Sequence, residues 1–202
     1  MLIIGITGPS GAGKGAVSEY LKTKYNFKII DADRIYHDII SSPSPCVAEL
    51  TNHFGESVLN KNGGIDRKAL SRLVFGDENK EKLLLLNKIT HKYVMSEIDK
   101  AIKSHAKSGA EVTVIDAPLL IESGVNEMCD YVIAVVADKN IRANRIAKRD
   151  GINTESALLR INSQKPDSFY KENCDFLLQN NHNLKALEDF VDICLRTGAI
   201  IK

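Results

Sequence analysis

Short apolar runs alternate with longer stretches of helical periodicity along the chain. Five of these runs are rich in β-branched residues and lie at 2–7, 27–32, 111–117, 130–137 and 175–180. Because the runs are apolar on both faces, they predict parallel strands that helices cover on each side. Helical segments between the runs indicate βαβ units. The pattern therefore predicts an α/β fold, a three-layer sandwich around a five-stranded parallel sheet.

The gap between the second and third apolar runs is long and has a helical pattern. Within residues 34–109, apolar side chains recur at roughly helical spacing, namely Leu83, Leu86, Ile89, Tyr93, Ile98 and Ile102. The four consecutive leucines at 83–86 fit the core of a helix better than a functional site. We therefore expect a mostly helical insertion between two strands of the sheet.

A strongly basic segment follows the fourth run. Within residues 139–170, Arg142, Arg145 and Arg149 are spaced i, i+3 and i+7, so one helix face would carry all three guanidinium groups. Such a face is either a solvated helix surface or part of a mobile lid that closes its arginines on a phosphate. The glycine-rich loop near the N-terminus favours the lid.

Composition limits the classes of protein that fit. The chain has 202 residues, of which 44% are hydrophobic and 26% charged, and its net charge is +1. This is typical of a single globular unit spanning 1–202, and it gives no electrostatic reason to expect nucleic acid or a membrane surface as a partner. The oligomeric state stays open.

Cysteine usage and the N-terminus indicate where the protein acts. The four cysteines form no C-x-x-C pair and no cluster with histidines. This is typical of free thiols in a reducing compartment. The first apolar run is too short for a signal peptide or a membrane span. We therefore expect a cytoplasmic protein.

A glycine-rich loop, GPSGAGKGA at residues 8–16, lies between the first strand and a helix that is expected to begin near Lys14. The pattern G-x-x-x-x-G-K in this context indicates a phosphate-binding loop, the P-loop of the NTPase fold. Backbone N–H groups and the helix N-terminus favour phosphate oxygens, and Lys14 would reach the β- and γ-phosphates of ATP. The predicted nucleotide-binding residues are Gly8, Ser10, Gly11, Ala12, Gly13, Lys14, Gly15 and Ala16.

The position after Lys14 departs from the usual pattern. A Ser or Thr there supplies a hydroxyl to Mg²⁺, whereas this chain has Gly15 followed by Ala16. Mg²⁺ can still be held through water molecules, because it keeps much of its hydration shell. Acidic residues at strand ends are then expected to anchor it.

Carboxylates stand at the ends of two predicted strands. Asp31 and Asp33 follow the second apolar run, and Asp116 follows the third. Ligands of open α/β sheets bind at the carboxyl ends of the strands, and alternation along a strand would turn Asp31 and Asp33 to the same side. An apolar strand that ends in Asp near a P-loop suits a magnesium ligand. Asp116 and Asp33 are therefore the predicted metal-binding residues.

An ordered set of short motifs runs through nearly the whole chain. After the P-loop come Asp31-Ala32-Asp33 with His37, then IDRKALSRLVF at 65–75, His91, DAPLLIESG at 116–124, KRDG at 148–151, RINSQ at 160–164 and CDFLLQNNHNL at 174–184. In this order, the motifs resemble those of the dephospho-CoA kinase family. The resemblance implies transfer of the γ-phosphate of ATP to the ribose 3′-hydroxyl of dephospho-CoA, the last step of coenzyme A synthesis.

The resemblance also implies a role for each catalytic candidate. Asp33 would be the general base for the ribose hydroxyl, and Lys14 would hold ATP together with the loop amides. Asp116 would help to hold Mg²⁺. Arg145 and Arg149 match lid arginines that would offset charge on the transferring phosphate.

The same resemblance divides the chain into functional parts. Residues 34–109 would form an acceptor-binding insertion and 139–170 a lid. Pro118, Leu119 and Leu120 would border the acceptor.

Two other functions remain open at this stage. One is another P-loop small-molecule kinase, such as a cytidylate kinase, whose phosphate loop is similar. The other is a non-catalytic nucleotide-binding protein, an interpretation that Gly15 and Ala16 favour.

The chain also departs from the family at Lys92, because a proline usually follows the histidine that His91 matches.

Overall fold

The structure is a computed structural model that describes residues 1–198, apart from the side chain of Asp77. Within these residues the sheet has five strands, which are β1 Leu2–Thr7, β2 Lys28–Asp31, β3 Val112–Asp116, β4 Tyr131–Val136 and β5 Phe176–Gln179. Their order is β2-β3-β1-β4-β5. The five predicted strands are confirmed, because every predicted boundary lies within one residue of the observed one.

The central strand of the sheet is β1, and all of its pairings are parallel. It pairs in parallel with β3, where Leu2 lies opposite Val112, and with β4, where Ile4 lies opposite Tyr131. β4 in turn pairs in parallel with β5. Strands inside a parallel sheet are covered by helices on both faces, which accounts for the burial of almost every residue in β3 and β4. The α/β prediction is confirmed.

Helices connect the strands and cover the sheet. Across residues 1–198 they are α1 Lys14–Tyr25, α2 Ala32–Ser41, α3 Pro45–Phe54, α4 Arg67–Val74, α5 Lys80–Lys107, α6 Lys139–Asp150, α7 Thr154–Asn162, α8 Asp167–Asn173 and α9 Leu184–Thr197. Apolar residues of α1 and α9 pack on the sheet in the main core. Among the residues that the structure describes, no helix has the length and apolar character needed to cross a membrane.

The chain divides into two compact units. One consists of Met1–Ile30 and the chain from His105 onward, and the other is Asp31–Ser104. The second unit contains α2, α3, α4 and most of α5, and it has its own core, in which Leu50 and Val58 are fully buried. The helical pattern predicted for 34–109 is therefore confirmed, and the acceptor-binding role of this segment stays a prediction.

Lys92, at the position where the resemblance leads us to expect a proline, lies within α5. α5 runs without interruption from Lys80 to Lys107, whereas a proline inside a helix removes a hydrogen bond and clashes with the preceding turn. The Lys92 Nζ donates to Glu49 Oε2 at 2.6 Å, and the Tyr93 hydroxyl donates to the same oxygen at 2.6 Å. Lys92 and Tyr93 therefore tie α5 to α3 within the second unit.

The sequence prediction for Asp33 is wrong in one respect. β2 ends at Asp31 and α2 begins at Ala32, so Asp33 lies in the first turn of a helix. The strand alternation that was expected to align Asp31 with Asp33 does not extend to Asp33. Asp31 instead caps α2, because its carboxylate accepts the backbone N–H of Arg34 at 2.9 Å.

Candidate active site

The phosphate loop joins β1 to α1, as the sequence predicts. β1 ends at Thr7 and α1 begins at Lys14. Gly8 has a φ of 135°, and a Cβ at this position would lie 2.1 Å from the carbonyl oxygen of Val135. Gly13, with a φ of 104°, occupies the N-cap of α1. Only glycine fits both positions without strain, so the loop spacing follows from the backbone path.

The N-terminus of α1 suits an anion. Gly13 has no side chain to cap the helix, and the positive end of the helix dipole therefore stays available to a ligand. The Lys14 Nζ donates to the carbonyl oxygen of Gly8 at 2.7 Å, which places the ammonium group across the mouth of the loop. These features fit a loop that holds the phosphates of a nucleotide.

Asn180 fixes the middle of the loop. Its side-chain amide, which is buried, donates to the carbonyl oxygen of Ala12 at 2.7 Å. A Cβ on Gly13 would lie 2.3 Å from the same amide nitrogen. The residue just after β5 is therefore part of the loop's support, and it belongs to the motif at 174–184.

Arg142 binds the loop rather than facing solvent. Only 5% of the residue is exposed, and its Nε donates to the carbonyl oxygen of Ser10 at 3.0 Å. Its NH2 group donates to Gln164 Oε1 at 2.7 Å, and the same oxygen accepts the backbone N–H of Ser10 at 3.1 Å. Burial lowers the pKa of the Arg142 guanidinium. The solvated helix surface considered for the three arginines is therefore wrong for Arg142, whereas the lid stays a prediction.

The two predicted catalytic arginines have different surroundings. Arg145 donates to the carbonyl oxygen of Ala12 at 3.3 Å and to that of Asn180 at 3.0 Å. Arg149 is exposed and donates to Asp150 Oδ1 at 2.7 Å. Hydrogen bonds from Arg149 and then Arg160 hold the pKa of Asp150 at about 2. Arg145 therefore contacts the loop directly, whereas Arg149 is paired with a carboxylate and lies 3.5 Å from the Ser10 hydroxyl.

Asp116 is the last residue of β3, as the sequence predicts. Its Oδ2 accepts a hydrogen bond from the Ser18 hydroxyl at 2.6 Å. Ser18 lies in the second turn of α1, the helix that begins at Lys14. The carboxylate at the end of β3 is thus joined to the helix of the phosphate loop.

A cavity of about 360 Å³ opens beside the loop. Its lining includes Gly8 and Pro9 of the loop, Pro118 and Leu119 after β3, and Gln164 and Tyr170 from the segment that contains α7 and α8. Leu119 is half exposed, whereas Leu120 is completely buried in the core. Leu120 does not line this cavity, because its side chain packs inside the first unit, and its role at the acceptor stays a prediction.

Asp33, His37 and His91 belong to the second unit. Asp33 stands in the first turn of α2. One turn later, the His37 ring lies 3.4 Å from the NH1 group of Arg67, the first residue of α4. His91 lies within α5. The roles of these three residues remain predictions.

The oxygen donors near the loop fit Mg²⁺ that arrives with a nucleotide. Asp116 carries a carboxylate, the hard oxygen donor that Mg²⁺ prefers, whereas Gly15 and Ala16 have no hydroxyl. The part of the chain that the structure describes holds no group of three or more His, Cys, Asp and Glu residues that could bind a metal ion. Mg²⁺ typically keeps several waters and takes one or two carboxylates plus substrate phosphates. The residues present fit this mode of binding.

The sequence pattern alone does not predict that three residues support the loop backbone, namely Arg142, Gln164 and Asn180. In sequence, Arg142 is one of three arginines on a helix face, and Gln164 and Asn180 lie inside longer motifs. Their hydrogen bonds join segments that are far apart in the chain, so no local sequence pattern predicts these contacts. Ser18 had a local signal, since it lies three residues after Gly15 on the same helix face.

We expect Gly15→Ser to lower the magnesium concentration that gives half-maximal turnover. Gly15 lies in α1, its φ is not positive, and a Cβ there meets no atom within 4 Å. A serine therefore fits without strain and adds one hydroxyl ligand. A magnesium titration of kcat/KM measures the effect, with Gly15→Ala as the control that changes the backbone but adds no hydroxyl. Equal magnesium dependence in the two variants would contradict this expectation.

Arg142→Met should reduce the free energy of unfolding by about 1–3 kcal/mol, because it removes the charge-assisted hydrogen bonds to the carbonyl oxygen of Ser10 and to Gln164 Oε1, both partly buried. The midpoint of denaturant unfolding measures this change. Lys148→Met is the matched control, since Lys148 is exposed on the same helix, and it should shift the free energy by less than about 0.5 kcal/mol. Equal stability of the two variants would mean that the Arg142 contacts do not hold the loop.

A parallel sheet with a glycine-rich loop, a lysine at a helix N-terminus and a carboxylate at the end of the adjacent strand defines a protein of the P-loop NTPase fold. The fold is similar to that of shikimate kinase from Acinetobacter baumannii, with a TM-score of 0.57 at 13% identity over 99% of this chain and 94% of that one. A family model described as dephospho-CoA kinase matches residues 2–186. The chain belongs to the dephospho-CoA kinase family, a family of ATP-dependent kinases.

Relatives and solved structures agree with this assignment. A dephospho-CoA kinase from Fusobacterium nucleatum is 42% identical over 187 residues, with 93% of each chain covered. Another from Carboxydothermus hydrogenoformans is 37% identical over 93% of this chain and 89% of the relative. The structure is also similar to TT1252 from Thermus thermophilus, with a TM-score of 0.79 at 28% identity over 97% of both chains. For dephospho-CoA kinase from Campylobacter jejuni, the TM-score is 0.61 at 25% identity over 96% of both chains.

Proposed function

We propose that the protein is an active dephospho-CoA kinase. The ribose 3′-hydroxyl oxygen of dephospho-CoA attacks the γ-phosphorus of ATP, the bond from that phosphorus to the β–γ bridging oxygen breaks, and ADP leaves. The hydroxyl proton passes to a carboxylate, and the products are ADP and CoA. The observation that carries the proposal is the family match over residues 2–186 on a chain whose phosphate loop retains Lys14.

Asp33 is the proposed general base. A carboxylate within hydrogen-bond reach of the ribose hydroxyl can accept its proton as the new P–O bond forms. The proposal rests on the family resemblance of Asp31-Ala32-Asp33 and on the position of Asp33 in the first turn of α2. Asp31 is less suited to this role, because its carboxylate is used to cap the helix.

The phosphate loop and the arginines of α6 hold the nucleotide in this proposal. Lys14 and the loop amides neutralise charge on the β- and γ-phosphates, and the N-terminus of α1 adds its partial positive charge. Arg145 stands against the loop backbone and can offset charge that develops on the transferring group. Arg149 would do so after leaving Asp150, its present partner.

Mg²⁺ is the proposed metal, with Asp116 and Asp33 as its protein anchors through water. When bound, it would neutralise charge on the β- and γ-phosphate oxygens. The donor chemistry of Asp116 and the lack of a hydroxyl at Gly15 and Ala16 support water-mediated binding. For Asp33, the role of metal anchor rests on its place beside Asp31 in the motif at 31–33.

The remaining parts of the chain serve the acceptor. Residues 34–109 are the proposed acceptor-binding insertion, and 139–170 the lid that excludes water from the reaction. The cavity beside the loop, with its apolar Pro118 and Leu119, can take part of an organic acceptor.

We place the activity in the cytoplasm, a reducing compartment that suits the free cysteines at 46, 129, 174 and 194.

An acceptor panel tests the proposed function. The purified protein is incubated with ATP and Mg²⁺ and with dephospho-CoA, CMP or AMP, and ADP and the phosphorylated product are separated by chromatography. We expect ADP and CoA to form in equal amounts with dephospho-CoA, and little product with CMP or AMP. Faster transfer to CMP would make the protein a cytidylate-type kinase. ATP binding without transfer to any acceptor would make it a non-catalytic nucleotide-binding protein.

A further inference from the structure

A buried hydroxyl contacts the carboxylate at the end of β3. The Ser18 Oγ donates to Asp116 Oδ2 at 2.6 Å, and only 7% of Ser18 is exposed. Hydrogen bonds from a hydroxyl to a carboxylate are short and about twice as strong as those between neutral groups. Because a buried serine has few rotamers, this bond fixes the orientation of one carboxylate oxygen.

The position of Ser18 on α1 relates it to the missing hydroxyl of the phosphate loop. Ser18 lies three residues after Gly15, and residues with this spacing are neighbours on one helix face. The face that would carry the usual magnesium-binding hydroxyl at Gly15 therefore carries a hydroxyl one turn later, where it contacts the strand-end carboxylate instead.

The helix around Ser18 is held firmly in place. Val17 and Leu21 on either side of it are completely buried and pack into the main core against β1 and β3. The Ser18 hydroxyl therefore stands on a rigid element, next to a carboxylate at the end of a buried strand. Groups on rigid elements hold a ligand-binding side chain more accurately than groups on loops.

We propose that Ser18 is a positioning residue that orients the Asp116 carboxylate for the hydrated magnesium ion of the ATP complex. The proposal rests on the proposed function, in which Asp116 anchors Mg²⁺. Ser18 does not bind the metal itself. By orienting the Asp116 carboxylate, Ser18 helps to position the hydrated ion, whereas a hydroxyl at position 15 would bind the ion directly.

Partners of metal-binding carboxylates typically change metal affinity by about 10–100-fold when they are removed. Here the phosphates of ATP share the metal, so we expect Ser18→Ala to weaken binding by about tenfold, at the lower end of that range. Ser18→Thr keeps the hydroxyl and should retain most of the affinity. A purely structural role for Ser18 would instead lower stability and leave metal affinity unchanged.

Metal binding measured apart from turnover tests the proposal. Mn²⁺ is titrated into the complex of the protein with a non-hydrolysable ATP analogue, and free Mn²⁺ is followed by electron paramagnetic resonance. The variants are Ser18→Ala, Ser18→Thr, Asp116→Asn and the double variant Ser18→Ala with Asp116→Asn, each checked by thermal melting and by affinity for the analogue alone.

The double variant separates action through Asp116 from a general effect on the fold. We expect Ser18→Ala to raise the Mn²⁺ dissociation constant about tenfold in the wild-type background and to add almost nothing when Asp116→Asn is already present. An unchanged dissociation constant in Ser18→Ala, or an equal loss in both backgrounds, would overturn the proposal. Failure of the proposed function is distinguishable, because in that case the wild-type protein would form no CoA in the acceptor panel.

Discussion

Lys14→Ala should lower kcat by about 10²–10³ while leaving the fold intact, since removal of one preorganised charge at a phosphate has a cost of this size. In the structure, Lys14 is the first residue of α1, and its ammonium group donates across the loop to the carbonyl oxygen of Gly8. Steady-state kinetics with ATP and dephospho-CoA measure the loss, and a thermal melting curve checks the fold.

Lys22→Ala is the matched control for this variant. Lys22 is an exposed lysine near the end of the same helix, α1. Its removal takes away the same charge without touching the loop, so kcat should stay within about twofold of wild type, as expected for exposed surface sites. If Lys14→Ala turned over as fast as Lys22→Ala, the phosphate loop would be wrongly assigned.

Asp33→Asn should lower kcat by about 10²–10⁴, the usual range for loss of a general base, with little change in ATP affinity. The amide cannot accept the ribose proton, although it has the same shape. Pre-steady-state kinetics with dephospho-CoA measure the chemical step, and titration with an ATP analogue measures nucleotide affinity separately.

Asp31→Asn is the control for the general base. Asp31 caps α2 through its hydrogen bond from Arg34, and asparagine caps helices about as well as aspartate. Asp31→Asn should therefore keep both stability and turnover near those of wild type. If Asp33→Asn were silent and Asp31→Asn damaging, the catalytic carboxylate would be Asp31, and the assignment to Asp33 would be wrong.

The strands were predictable from sequence because each is a short run that is apolar on both faces. Such runs as 130–137 leave few alternatives to a buried parallel strand, and β4 extends over Tyr131–Val136. The end of β2 was not predictable to the residue. IIDAD continues the strand pattern, but the Asp31 side chain can cap a helix, and this local hydrogen bond ends the strand before Asp33.

The candidate site was predictable only where local sequence determines it. The P-loop follows from glycines at Gly8 and Gly13, which the backbone path requires. The burial of Arg142 could not be predicted, because its partners Ser10 and Gln164 come from distant parts of the chain. A basic helix looks the same in sequence whether its arginines meet solvent, a phosphate or the backbone of a loop.

The position of the new phosphate on the product tests the central claim most directly. Purified wild-type protein is incubated with ATP, Mg²⁺ and dephospho-CoA, and two-dimensional ¹H–³¹P NMR locates the phosphate through its coupling to the ribose protons. We predict a new phosphomonoester coupled to the ribose 3′ proton, formed in a one-to-one ratio with ADP. Phosphate released to water, coupling to another position, or no product with ATP bound would contradict the assignment of this chain as a dephospho-CoA kinase.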